Sequence, residues 1–140
     1  MTRKILIGYD GSEESARALQ FAVELLQQSN GETTEFHLAY VVQKPSNIAD
    51  PVPDELLDAF EKEGDNVLSD AARYVRKQLE TPYIHLEFGS PPQKLLELAN
   101  RLKPDLVVLG MAKHPSSEKI LGTVSSAFFN ARRYSVLGVP

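Results

Sequence analysis

Few side chains in this chain are placed to do chemistry, and their spacing narrows the chemistry further. Asp10-Gly11-Ser12 follows the apolar run Ile5-Leu6-Ile7, so the Asp10 carboxylate stands where a strand gives way to a helix. One local use for it is to close its own turn through an Asx-type bond. His37, His85 and His114 lack metal-ligand spacing, such as two histidines four apart with a nearby Glu. They read as separate surface or half-buried histidines on two strands and a loop. Cysteine is absent, which excludes disulfides, thiolate nucleophiles and cysteine-ligated zinc or iron–sulfur clusters. No general base is paired with a nucleophile and no acidic cluster is set to hold Mg²⁺, so no residue is assigned to catalysis or metal binding. Glu13 and Glu14 fall in a first helical turn, where the helix dipole alone accounts for them. Ser116-Ser117 could be phosphorylated or contact a phosphate, or be no more than an exposed loop.

These groups must be held by elements that the apolar pattern outlines. Lys4–Tyr9 reads as a strand that stops at Asp10-Gly11-Ser12, with Ser12 as the cap of a helix. Leu19, Ala22, Val23 and Leu26 repeat at helical spacing along it, and Asn30-Gly31 closes it. Thr34–Val42 alternates Phe36, Leu38, Tyr40 and Val42 as a second strand, and a loop with two prolines runs from Gln43 to Val52. A long helix spans Pro53 to about Glu80, with Gly64 weakening its middle by roughly 1 kcal/mol relative to alanine. Tyr83–Phe88 is a third strand, and Ser90-Pro91 reads as a cap and proline start for a helix carrying Leu95, Leu98, Ala99 and Leu102. Leu106–Leu109 is the most continuously apolar strand and is expected at the sheet's centre. A loop from Gly110 to Gly122, a helix marked by Val124, Ala127, Phe128 and Ala131, and a short strand Ser135–Val139 complete the order. Strands joined by helices in this way lie parallel, with helices on both faces.

Composition sets the remaining bounds. With 140 residues, 42% hydrophobic and 24% charged, the chain has the size and mix of one soluble globular domain over 1–140. The run Ile5-Leu6-Ile7 is too short for a signal peptide and no stretch approaches a membrane span, so a cytoplasmic location is expected. A net charge of −4 disfavours nucleic-acid and anionic-membrane partners. Arg132-Arg133 reads as a solvated helix end.

Three segments, in order and at these distances, resemble the universal stress protein family across essentially the whole chain. They are Ile5-Leu6-Ile7-Gly8-Tyr9-Asp10-Gly11-Ser12, Phe88-Gly89-Ser90-Pro91, and Asp105-Leu106-Val107-Val108-Leu109-Gly110 followed by Gly122-Thr123-Val124-Ser125. The resemblance implies a doubly wound, Rossmann-like α/β fold, its five parallel strands in the order 3-2-1-4-5 with two helices on each face. It implies a regulatory stress-response module rather than an enzyme, with any ATP hydrolysis slow and incidental. Ligands of such sheets sit at the carboxyl ends of strands one and four, where the winding reverses.

Nucleotide-binding members carry a loop of pattern Gly-x2-Gly-x9-Gly-Ser/Thr after strand four. Its glycines let backbone N–H groups approach phosphate, and its end opens a helix whose positive pole favours anions. By resemblance, ATP or a related adenine nucleotide, with Mg²⁺ as a possible companion, would contact Gly8, Tyr9, Asp10, Val41, Gly110, Lys113, Gly122, Thr123, Val124 and Ser125. Asp10 would bond the ribose hydroxyls and Val41 would lie beside adenine. Gly110 matches the loop's first glycine, but Lys113 stands at the second, and His114–Leu121 makes the loop one residue short. Lys113 is then either solvated in a non-binding loop or a point charge on phosphate replacing lost backbone donors. The alternative is a family member that binds no nucleotide and acts through protein contacts. Homodimerisation through the last strand is also implied. Two other classes fail on motifs: neither a Ser-Gly-Gly-x-Asp loop nor a His-x-Gly-His motif occurs, and strand three ends in Phe88-Gly89-Ser90 where a phosphorelay receiver would carry its Asp.

Overall fold

The computed structural model describes residues 2–28, 33–43, 51–111 and 123–140. The apolar run Ile5–Ile7 lies within strand β1 (Thr2–Gly8). Successive side chains of a strand point to opposite faces, so Ile5 and Ile7 enter one apolar layer and Leu6 the other. The chain continues as α1 (Glu13–Gln27), β2 (Thr33–Val42), α2 (Asp54–Gln78), β3 (Tyr83–Phe88), α3 (Pro91–Leu102), β4 (Leu106–Gly110), α4 (Thr123–Ala131) and β5 (Val136–Val139). All five strands are parallel, in the order β3-β2-β1-β4-β5, as the family resemblance implied. The centre is β1 rather than β4. The unbroken apolarity of Leu106–Leu109 reflects burial on both faces, which β1 shares.

Two helices cover each face. Ala18, Leu19, Ala22 and Val23 of α1 and Leu68, Ala71, Ala72 and Val75 of α2 pack on Ile5, Ile7, Leu38 and Val108. On the other face, Leu95, Leu98 and Ala99 of α3 and Phe128 of α4 pack on Leu6, Ala39, Val41, Val107 and Leu109. Val124 belongs to the fringe of this second layer.

Helix ends depart from the sequence reading in detail. Ser12 caps α1 as expected, its hydroxyl accepting the Ser15 N–H at 3.2 Å. Gln28 is the other cap, and Asn30-Gly31 lies outside the described residues. The α2 helix stops at Gln78 because Leu79 swings to an extended φ of −139°. Ser90 sits at the start of α3 without a side-chain capping bond, leaving Pro91 as the effective start signal. That helix ends on Lys103 in the left-handed region, with φ 53° and its N–H on the Ala99 carbonyl at 2.7 Å. Glycine is the usual residue there, so this stop gave no sequence signal. Arg132 and Arg133 are exposed immediately after α4, as read.

Gly64 has a role that its helix propensity hid. A Cβ there would lie 2.6 Å from Leu86 Cδ1 and 3.3 Å from Val42 Cγ2, so its absence lets α2 approach β2 and β3.

Candidate functional site

The carboxyl ends of β1, β2 and β4 converge on a cleft of about 500 Å³, at the point where the winding of the sheet reverses. Its floor is Gly8, Ala39, Val41, Leu109 and Gly110, and its walls come from the first turns of α1, α3 and α4 and from Phe60 and Glu63 in the first half of α2. Small and aliphatic residues at strand ends form an apolar slot, and polar groups gather at its rim. This is the usual make-up of a small-molecule site.

Asp10 is fixed at that rim by its own loop. Its Oδ1 accepts the Ser12 N–H at 2.9 Å, and its N–H donates to Ser15 Oγ at 3.3 Å. The buried Ser15 hydroxyl in turn donates to the Ser12 carbonyl at 3.0 Å. Gly11 supplies the positive φ of 82° that this turn requires. Burial alone would raise the Asp10 pKa. Hydrogen bonds from the Ser12 side chain and N–H, with a contribution from Ser15, outweigh burial and hold it below the usual carboxylate range. The Asx-turn reading of Asp10 therefore stands, and the carboxylate also borders the cleft. A carboxylate has acceptor capacity beyond one bond, so one role does not displace the other.

The negative field reaches neighbouring phenols. The Tyr9 hydroxyl is pushed up by burial, then by Asp70 and Asp10; that of Tyr40 by burial, then by Glu63 and Asp10. Both tyrosines line the cleft as neutral hydrogen-bonding groups.

Of the residues singled out from the sequence, Gly8, Tyr9, Asp10, Val41, Gly110 and Val124 line this one cleft. Thr123 opens α4. Ser125, 2% exposed, is enclosed nearby and is not part of the lining. Lys113, Gly122, His114 and Ser116-Ser117 lie outside the described residues. Sequence reasoning missed Tyr40, Gln43, Phe60, Glu63 and Leu95, which also line the cleft. Phe60 registered only as one more apolar position of its helix, and nothing local tied it to β1.

Gly110 carries a second constraint. A Cβ on it would fall 2.5 Å from the Glu14 carbonyl carbon and 2.6 Å from the Ser15 nitrogen. Main chain of α1 thus rests directly on β4, and this contact sets the height of the Asp10 loop above the sheet.

The histidines are not three separate residues. His37 Nδ1 and His85 Nε2 are 2.9 Å apart across β2 and β3, on the α3 face and away from the cleft lining. His37 is 4% exposed, not a surface or half-buried group.

Residues 1–140 match the sequence model of the Universal stress protein family. Among curated relatives, the stress response protein NhaX of Bacillus subtilis is 25% identical, the match covering 87% of this chain and 88% of that one. The universal stress protein YxiE of the same organism is 29% identical, over 89% and 90%. Universal stress protein UspA from Lactobacillus plantarum has the same fold with a TM-score of 0.82, at 22% identity over 99% and 97% of the chains. A universal stress protein in complex with cAMP superposes with a TM-score of 0.69, at 24% identity over 99% and 97%. An Arabidopsis thaliana family protein with AMP bound gives 0.68, at 20% identity over 98% and 90%.

Proposed function

Since the chain belongs to the universal stress protein family, we propose that it is a regulatory stress-response module that takes an adenine nucleotide in the cleft between β1 and β4. The observation that carries this reading is the cleft itself. It lies at the switch point of the sheet, with an ionised Asp10 at its rim and the first turn of α4 in its wall. Asp10 takes the ribose hydroxyls, Val41 flanks the base, and the N-terminus of α4 at Thr123 faces the phosphates. Relatives of the same fold with cAMP and with AMP bound support an adenine ligand. ATP with Mg²⁺ is the triphosphate form of the same proposal, with Lys113, Gly122 and Ser125 joining the phosphate end. Binding serves signalling rather than turnover, in the cytoplasm. No helix among the described residues is long and apolar enough to cross a membrane.

Titration with ATP plus Mg²⁺, AMP and cAMP, read by calorimetry and thermal shift, tests this. A ligand at a hundred times its Kd stabilises the fold by about 2.7 kcal/mol. Thr123→Glu should abolish that gain by placing a carboxylate where phosphate belongs. The fold should remain, because a glutamate at a helix N-terminus is favoured. No heat and no stabilisation at millimolar ligand would leave the other reading, an interaction module without nucleotide. The shortened loop with Lys113 in place of glycine is what favours it.

A homodimer through β5 goes with either reading. In the sheet order β5 is an end strand, and end strands tend to be covered. Light scattering should give twice the 15.5 kDa chain mass at high micromolar concentration; the single mass would count against it.

A further inference from the structure

The pair His37–His85 is built from positions that the register brings together diagonally. His37 lies opposite Tyr83 and His85 opposite Ala39. The small side chain of Ala39 leaves room for the two imidazoles to meet along the face. Their ring centroids are 5.1 Å apart and their planes differ by 22°, while the facing nitrogens are 2.9 Å apart. The difference between the two distances is close to two imidazole radii. Nδ1 of His37 and Nε2 of His85 therefore lie near the line joining the rings, edge to edge. This is the geometry of one N–H shared between two nitrogens. It leaves no position for an ion between them.

The surroundings choose which ring donates. Nε2 of His37 is enclosed, with no hydrogen-bond partner among the described residues, and sits 3.4 Å from Glu35 Oε1. A proton on Nε2 is attracted by that carboxylate, whereas a lone pair there is repelled. Neutral His37 thus carries its hydrogen on Nε2 and accepts through Nδ1, and His85 donates from Nε2. Other groups facing the pair are Lys4 of β1, Glu87 of β3 and Arg101 of α3, with the Tyr83 ring stacked on His37 at 4.8 Å. Arg101 is itself bound to Glu87 at 2.8 Å.

We propose that His37 and His85 form a two-step proton sensor that locks β3 onto β2 until a second proton arrives. The first proton goes to the remaining lone pair of His85, and the cationic ring still donates to His37. A second proton must go to His37 Nδ1. Two N–H groups and two positive charges then oppose each other at 2.9 Å, and the pair must part. Burial pushes both histidines below their ordinary value, with Glu35 and Glu87 pulling the other way. The unfolded chain takes up these protons near pH 6.5, before the folded one does. Stability therefore declines as pH falls below that value.

Imidazole NMR on the intact protein tests this without a variant. The expected result is an Nε2–H tautomer for His37 at neutral pH and two coupled titration steps, with His85 first and His37 at least one pH unit lower. Amide protection along β3, taken relative to the intrinsic exchange rate at each pH, should fall at least tenfold as the second step passes. His85→Phe, which cannot donate, should move the His37 midpoint upward and remove the β3 response. Independent titration of both rings near the ordinary value would overturn the proposal. So would β3 protection that is unchanged through the second step, or an acid response that persists in His85→Phe.

Discussion

Gly110→Ala should destabilise the protein by about 3 kcal/mol, the upper part of the range for overpacked sites, although it adds one methyl group. The new Cβ would stand 2.5 Å, 2.6 Å and 2.7 Å from the Glu14 carbonyl carbon, the Ser15 nitrogen and the Glu14 oxygen. These are main-chain atoms inside a helix and cannot rotate away, so α1 has to lift from β4. Gly8→Ala is the matched comparison. Its Cβ would meet Leu109 Cδ2 at 2.9 Å, a side-chain tip that can turn, and the loss should stay near 1 kcal/mol. Both residues border the cleft, so a difference between them isolates the helix–strand contact. Urea midpoints would measure it, and a wild-type midpoint for Gly110→Ala would show that α1 does not rest on β4 as described. Lifting α1 also carries the Asp10–Ser12–Ser15 network away from the floor, so adenine nucleotide binding should weaken along with stability.

Phe128→Ala should cost about 3–5 kcal/mol, a large part of the 5–15 kcal/mol that holds a typical domain together. Phe128 is 0% exposed and, among the described residues, is the largest of the fully buried side chains. It fills the layer between α4 and Leu6, Val107 and Leu98, with the Tyr134 ring tilted against it at 6.2 Å. With only 9 residues, α4 is too short to persist on its own. Hydrogen exchange should therefore show α4 amides losing protection before those of β1 and β2. Phe128→Leu, which keeps most of the volume, should cost less than half as much. Equal protection of α4 in wild type and Phe128→Ala would mean that other contacts hold the helix.

How much of this could be read in advance depended on the range of each contact. Period and alternation act within one element, so the Leu95, Leu98 and Ala99 stripe and the Leu106–Leu109 run were visible as such. The order of the strands came from resemblance, since alternation of elements says that strands are parallel but not which is neighbour to which. Asp10 and Ser12 were legible because an Asx turn and a helix cap are local. Contacts between distant segments were not. Gly110 looked like half of a phosphate loop, and its clash with Glu14 exists only once β4 lies beneath α1. His37 and His85, 48 positions apart, became a pair only through the register of β2 and β3. Phe60 and Glu63 reached the cleft because Gly64 lets α2 sit close to the sheet. Lys103 ended a helix in a conformation that its residue type does not announce.

The placement of β1 between β2 and β4 also bears on how the chain is made. Lys4 and Asp105, which join β1 to the start of β4 by two hydrogen bonds of 2.8 Å, are 101 positions apart. At a ribosomal rate of about 5–20 residues per second, one edge of the central strand waits roughly 5–20 seconds for its partner. During that time β1, β2 and β3 can assemble as a three-stranded half under α1 and α2, with an apolar border open to other nascent chains. Synthesis is then the interval at which this protein most needs a chaperone, and slower translation between β3 and β4 would lengthen it.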